Sequence, residues 1–238
     1  LTAMKIIYSF NTNGGKIFPG KFYKRMAELS VRSAKRCGYP IELYADLWGI
    51  EFFKQLKFPF DSYHLIEPEK YGVNFSYWNF GKLLTYSLQN EPFLHVDFDT
   101  YFHEGFRIPE SGDIITEMLR EYTFVRAFRD VAILDTNVLP EKLICSGLVG
   151  GYNTNIWKEL FSRAEEICMK PVPVPEKAMA YLVGVEEFNL SQIAQFLKLK
   201  VVELDHNKFD HWQGENKEKN YGQVINELYN QLTNVHSY

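Results

Sequence analysis

The amino-acid sequence predicts an α/β fold: a single Rossmann-like domain with a mixed, mostly parallel central sheet flanked by helices. Three observations carry that expectation. Short β-prone runs alternate with helical patterns through the first hundred residues, as βαβ units do. One of these runs, Phe93 to Val96 (FLHV), is short and apolar and follows a helical segment, which suits a central parallel strand. Finally, 238 residues, 46% hydrophobic and 24% charged, can bury one sizeable core without forcing a second.

Taken in order, Lys5 to Phe10 (KIIYSF) reads as the first strand and Asn11 to Gly15 (NTNGG) as the turn that ends it. Phe22 to Gly38 reads as a helix stopped by the glycine, with Lys35 and Arg36 in its last turn. Ile41 to Asp46 (IELYAD) is the next strand. A short helical piece near Phe52 to Lys57, a brief strand at SYHLI and a helix from Tyr77 to Gln89 then lead to the apolar strand at Phe93. Beyond Asp99 the rhythm changes. Thr123 to Phe128 and Ile144 to Tyr152 read as strands with no long crossover helix between them, so the second half is expected to be antiparallel or mixed. Helices are expected over Asn155 to Met169, Glu176 to Leu182 and Glu187 to Leu197. A last strand (KVVEL), a polar loop (DHNKFDHWQGENKEKN) and an amphipathic helix from Gln223 to Leu232 close the chain. No repeat or interdomain linker interrupts residues 4–238, and Leu1 to Ala3 read as an extraneous remnant ahead of Met4.

Composition excludes several function classes. The formal charge is −4, from 26 basic and 30 acidic residues, and no basic block is present to neutralise a phosphate backbone, so nucleic acid is not an expected partner. Cys37, Cys145 and Cys168 are odd in number and widely spaced, which fits neither a disulfide framework nor a zinc cluster and points to a reducing cytoplasm. No segment approaches the roughly 18 apolar residues of a membrane span, so any membrane contact is expected to be peripheral. Aromatics at 16% are high, which suits sugar or base stacking as well as core filling.

The chemistry concentrates where the apolar strand ends. FLHVDFDTYF seats Asp97 and Asp99 just beyond the strand's carboxyl end, where open α/β sheets bind ligands. Unpaired buried carboxylates are so unfavourable that two of them imply a cation, a base or an open edge. Residues i and i+2 of a strand face the same way, so both can converge on one ligand; the plainer alternative is that they cap a turn. Far downstream, His211, Gly214 and Lys217 form HxxGxxK. A histidine supplies a neutral nitrogen to a divalent ion held by carboxylates, a glycine lets backbone approach a phosphate, and a lysine offers it a mobile charge.

Together the DxD and HxxGxxK resemble the GT-A fold glycosyltransferases, and most of all the retaining glycogenin and lipopolysaccharide galactosyltransferase families. The likeness runs from the first strand to Lys217. It departs after Lys217, where those families continue with Pro-Trp and this chain has Glu218 and Lys219. The resemblance implies that Asp97, Asp99 and His211 hold Mn²⁺ or Mg²⁺ on the diphosphate of a nucleotide-sugar, a UDP-sugar foremost, with Asp97 also reaching the ribose. It implies a nucleotide-binding half at 4–100 and a sugar- and acceptor-binding half at 101–238. Phe10, Asn11 and Thr12 are expected near the base and Asp46 near base or ribose, each with a turn or cap as its alternative. Trp78 and Lys82 lie four apart on one helix face, Lys82 resembling the basic residue such enzymes place at the diphosphate, while core packing competes for Trp78. Ser146 and Gly147 open a small-residue stretch (SGLVGG) like that lining donor or acceptor, and Gly214 and Lys217 face the phosphates. Glu186 and Glu187 resemble the acid pair of the blood-group-type transferases, with Glu187 as nucleophile or ion-pair stabiliser. Their structural alternative is complementing the dipole of a helix start.

An oligosaccharide or glycolipid acceptor follows from the same resemblance. Inversion instead of retention would call on Asp130, Asp135 or Asp210 as general base. Competing readings are a catalytically dead carbohydrate-binding module and a nucleotidyltransferase, for which NTNGGK is a faint phosphate loop. A haloacid-dehalogenase phosphatase would carry Thr or Val where Tyr101 stands.

Overall fold

The structure, a computed structural model, describes residues 4–74, 77–135, 137–214 and 216–234. The segment Leu1 to Ala3 lies outside them. In chain order the elements are β1 (Lys5–Phe10), α1 (Lys21–Arg36), β2 (Ile41–Ala45), α2 (Leu47–Gln55), β3 (Ser62–Leu65), α3 (Phe80–Ser87), β4 (Phe93–Val96) and β5 (Thr100–Phe102). The chain continues through β6 (Ile114–Thr116), β7 (Leu119–Arg120), α4 (Arg126–Asp130), β8 (Leu143–Ile144), β9 (Leu148–Gly151) and α5 (Asn155–Cys168). It closes with α6 (Ala178–Val183), α7 (Asn189–Phe196), β10 (Val201–Glu203), β11 (Phe209–His211) and α8 (Lys217–Asn234).

Seven strands form the central sheet in the order β10-β6-β9-β4-β1-β2-β3. β1 pairs in parallel with β2 and β4, and β2 with β3, whereas β9 runs antiparallel to both β4 and β6. The chain therefore steps outward from β1 to β3 and returns to the other side of β1 for β4. That reversal opens a crevice beyond the carboxyl ends of β1 and β4, the place where such sheets take ligands. β4 is buried along its whole length, as its apolar run requires.

Alternate residues of these strands feed two cores. Ile7, Phe93 and Val149 face one side with Tyr86 and Trp157, while Ile6, Tyr8, Leu94 and Val96 face the other with Val31 and Phe53. Fully burying each aliphatic or aromatic side chain of this kind contributes roughly 1.5–3 kcal/mol. α1 covers the second side with Ala27, Val31 and Ala34, a helical stripe, and stops at Gly38 in the left-handed region (φ +82°).

Four expectations need correction. Thr123 to Phe128 is no strand: the chain is irregular to Val125 and then turns into α4, which tucks Phe128 against Leu143 and Phe188. A short apolar run does not by itself distinguish strand from helical turn. Ile144 to Tyr152 is two strands: β8 pairs with β7 in a small separate sheet and β9 joins the main one, with Cys145 to Gly147 bridging them. The helices expected at 176–182 and 187–197 are one continuous rod of α6, a π-helical turn at Gly184–Phe188, and α7. The polar loop contains β11, paired antiparallel with β5, and the last helix begins at Lys217 rather than Gln223. Among the described residues no helix is long and apolar enough to cross a membrane.

Candidate metal centre and buried acid network

Past Val96 the chain leaves β4 in a tight turn. Asp97 N donates to Gly147 O at 2.9 Å, and Thr100 N donates to Asp97 O at 3.2 Å. Between the acids, Phe98 inserts among Tyr8, Phe10 and Phe53, with ring centroids 4.9, 6.1 and 5.1 Å away. Convergence of the two carboxylates thus comes from a turn anchored by a half-buried phenyl ring, not from strand pleating. β5 follows at once, and its pairing with β11 sets His211 opposite Thr100 while Trp212 N donates to Asp99 O at 2.9 Å. One ligand atom each from Asp97, Asp99 and His211 lie within 4.8 Å of one another.

Behind this triad stands a residue that sequence reasoning missed. Glu117, 1% exposed just after β6, sits 2.5 Å from His211 Nδ1 and accepts from Cys145 Sγ at 2.6 Å and Gln213 Nε2 at 2.7 Å. Its signal was present, since Ile114 to Thr116 followed by Glu117 is again a buried apolar strand ending in acid. A carboxylate on the far nitrogen of a histidine fixes the ring and raises its basicity as a ligand. The ring fits only because residue 147 is glycine: a Cβ there would lie 2.0 Å from His211 Cε1. Lys217, the first residue of α8, pairs with Asp99 Oδ2.

The electrostatics follow from this crowding. Burial pulls the His211 pKa down, but Asp99 and Glu117 outweigh it and raise it to about 10. Burial pushes Asp99 up, yet His211 and Lys217 hold it near about 2. Asp97 rises to about 6 through desolvation and the nearby Asp99, against the pull of Lys82. Asp99 Oδ1 is buried and makes no hydrogen bond, although His211 Nε2 lies 3.2 Å away. A buried carboxylate oxygen facing an imidazole nitrogen, a second carboxylate beside it and glutamate backing that imidazole fit a divalent cation.

Lys82 links this centre to the acid pair. Its Nζ lies 3.1 Å from Asp97 Oδ1 and 3.4 Å from Glu186 Oε1, and donates to Ser146 O at 2.7 Å. Burial disfavours its charge, but Asp97 and Glu186 more than compensate and its pKa is raised. Glu186 also accepts from Tyr86 Oη at 2.8 Å and Asn79 Nδ2 at 3.4 Å. Glu187 Oε1 accepts from Ser146 N at 3.0 Å and Ser146 Oγ at 3.1 Å, and its Oε2 pairs with Arg120. Burial pushes the Glu187 carboxyl up while Arg120 opposes the shift. Both glutamates lie mid-rod in the π-turn, so a helix-start dipole does not account for them. Such turns recur at functional sites, and this one turns two consecutive acids inward.

The remaining expected residues lie elsewhere. Asp46 is buried and both its oxygens are engaged: Thr12 N and Oγ1 donate to Oδ2 at 2.9 and 2.6 Å, and Gly49 N caps α2 through Oδ1 at 2.8 Å. Phe10, half-buried, is packed against Phe52, Phe53 and Phe98 at the margin of the second core. Asn11 and Asp46 line a cavity of about 450 Å³ at the ends of β1 to β3, together with Trp48, 57% exposed, which sequence reasoning did not single out. Trp78 is 63% exposed one turn before Lys82, against the expectation of core packing. Gly214 sits in an open turn with nothing within 4 Å of where a Cβ would stand.

No curated protein matches this sequence. Among solved structures, CTP:phosphocholine cytidylyltransferase from Streptococcus pneumoniae (LicC) is similar over 93% of this chain and 99% of that chain, at 13% identity and a TM-score of 0.48. Residues 4–238 match the family described as "Family of unknown function (DUF6734)", and the chain belongs to that family.

Proposed function

We propose that this protein is a metal-dependent glycosyltransferase of the GT-A type. It moves a sugar from a nucleotide-sugar, foremost a UDP-sugar, to a saccharide or lipid-linked acceptor with retention. The observation that carries the reading is the convergence of Asp97, Asp99 and His211 at the β1/β4 reversal, with the buried Asp99 Oδ1 facing the His211 ring among them. These three residues would hold Mn²⁺ or Mg²⁺, which offsets charge developing on a departing nucleoside diphosphate.

The chain's own groups do the rest. Lys82 fixes the Asp97 carboxylate, and Lys217 at the start of α8 adds positive charge on the Asp99 side, where a helix N-terminus favours phosphate. The cavity beside Asn11 and Trp48 takes the base, so residues 4–100 form the nucleotide side and 101–238 the sugar and acceptor side. Glu187, held by Ser146 and Arg120, is the carboxylate assigned to the anomeric carbon, with Glu186 supporting it through Lys82. Retention rests on the resemblance of the HxxGxxK loop and Glu187 to retaining enzymes. A cytoplasmic setting suits the three unpaired cysteines.

The test is a thermal-shift panel of nucleotide-sugars and free diphosphates, each with and without Mn²⁺. Stabilisation by one UDP- or GDP-sugar that needs Mn²⁺ and disappears in Asp99→Ala supports the reading and names the donor. If no nucleotide-sugar stabilises the folded protein, the proposal is wrong.

A further inference from the structure

His95 lies on β4 two residues before Asp97 and is 1% exposed. Its ring meets Tyr86 of α3 edge to face, with centroids 5.1 Å apart at 76°. Across the sheet its Nε2 is 2.9 Å from Ser9 Oγ on β1. Its Nδ1 is buried without a hydrogen-bond partner, and Asp97 Oδ1 stands 3.8 Å away. A buried ring nitrogen with no partner is costly, and native structures rarely leave one without a reason.

The two neutral tautomers are not equivalent here. With the proton on Nε2, the ring donates to Ser9 and the bare lone pair of Nδ1 faces a carboxylate. With the proton on Nδ1, the Ser9 hydroxyl donates to Nε2 and an N–H points at Asp97. Electrostatics selects the second, and Ser9 fixes it.

We propose that His95 is a positioning residue for Asp97: Ser9 orients His95, whose Nδ1–H closes onto the Asp97 carboxylate when that carboxylate engages a divalent cation. The 3.8 Å separation exceeds a normal N–H···O distance by roughly 0.6–1 Å, a gap that a small carboxylate rotation closes. Asp97 now leans on Lys82, 3.1 Å away, and a cation drawing one of its oxygens toward Asp99 and His211 reorients the other. An N–H on a ligating carboxylate holds it in its binding orientation, as Glu117 holds His211. The inference rests on Asp97 being a cation ligand.

Two substitutions separate the donor from the ring. His95→Phe keeps an aromatic ring against Tyr86 and removes the donor, whereas His95→Asn places an amide nitrogen near the position of Nδ1. Mn²⁺ affinity, measured on the metal alone by calorimetry, is expected to fall roughly 10- to 100-fold in His95→Phe and to be largely restored in His95→Asn. Ser9→Ala, which leaves the imidazole and the carboxylate chemically intact and removes only the hydroxyl that orients the ring, is expected to weaken binding several-fold and keeps the test open should His95→Phe not fold. In the metal-free wild type, ¹⁵N NMR is expected to show the proton on Nδ1, and Mg²⁺ to shift that resonance. A wild type that binds no Mn²⁺ overturns the metal reading and this inference together. A wild type that binds, with unchanged affinity in folded His95→Phe and in Ser9→Ala, or with the proton on Nε2, overturns this inference alone.

Discussion

Cation affinity is expected to rise steeply with pH, because His211 has to surrender a proton before its nitrogen can serve as a ligand. Wedged between Asp99 and Glu117, the imidazole keeps that proton up to about pH 10 in the absence of metal. Below that pH each bound cation displaces one proton, so affinity changes roughly tenfold per pH unit, or about 100-fold between pH 7 and 9. Near pH 6 Asp97 begins to hold a proton as well, and the slope steepens. Glu117→Gln removes one of the two anions that retain the proton. The His211 pKa then falls toward the ordinary histidine value and the slope between pH 7 and 9 flattens, even as the loss of the orienting carboxylate lowers affinity at pH 9. Calorimetric Mn²⁺ titrations in two buffers of different ionisation enthalpy count the released protons directly. A wild-type affinity independent of pH over this range, or equal slopes in wild type and Glu117→Gln, would refute His211 as the proton-bearing ligand.

Other consequences follow from the same contacts. In Gly147→Ala the new Cβ would stand 2.0 Å from His211 Cε1, so the ring has to move by more than 1 Å, far outside the roughly 0.2 Å tolerance of a metal ligand. Mn²⁺ affinity should drop at least tenfold while the folded baseline in circular dichroism is kept. Metal-free stability should fall on the alkaline side. A raised His211 pKa stabilises fully below the unfolded value near 6.5 and is lost as pH rises through about 10, whereas the depressed Asp99 matters only as pH falls toward about 2. Urea unfolding should register a loss of roughly 2–3 kcal/mol between pH 7 and 9, reduced in Glu117→Gln. Lys82→Met leaves Asp97 and Glu186 without their shared cation and should cost on the order of 3–5 kcal/mol in metal-free urea unfolding at pH 7.5; a cost under about 1 kcal/mol would contradict the hub role. Glu187→Gln should preserve nucleotide-dependent thermal stabilisation while lowering sugar transfer at least 100-fold, measured as product formed per unit time.

What could be read in the sequence, and what could not, divides along physical lines. β1, β2 and β4 are runs dominated by apolar and aromatic residues whose largely buried course follows from composition, and α1 carries both its stripe and its stop. β5 and β11 are only three residues each, and neither has a periodicity of its own; they exist because they pair with one another. That pairing carries His211 to Asp99, so the motif spacing was visible while the device that joins its parts was not. The π-turn was hidden for a similar reason. The two adjacent glutamates fitted a dipole-complementing helix start as well as a reacting pair; in the fold Lys82, Ser146 and Arg120 arrive from three other stretches of chain to satisfy them. Glu117 is the instructive omission. The reasoning that stopped at Asp97, a carboxylate just past a strand buried from end to end, applies without change to Glu117 after β6. Because β6 and β4 flank β9 in the same sheet and point the same way, their terminal acids reach the same edge. In the proposed centre one would be a ligand of the cation, and the other steadies the histidine beside it. In a mostly parallel sheet, then, every buried strand that ends in an acid is worth examining as part of one centre, whether or not its residues fall within a motif.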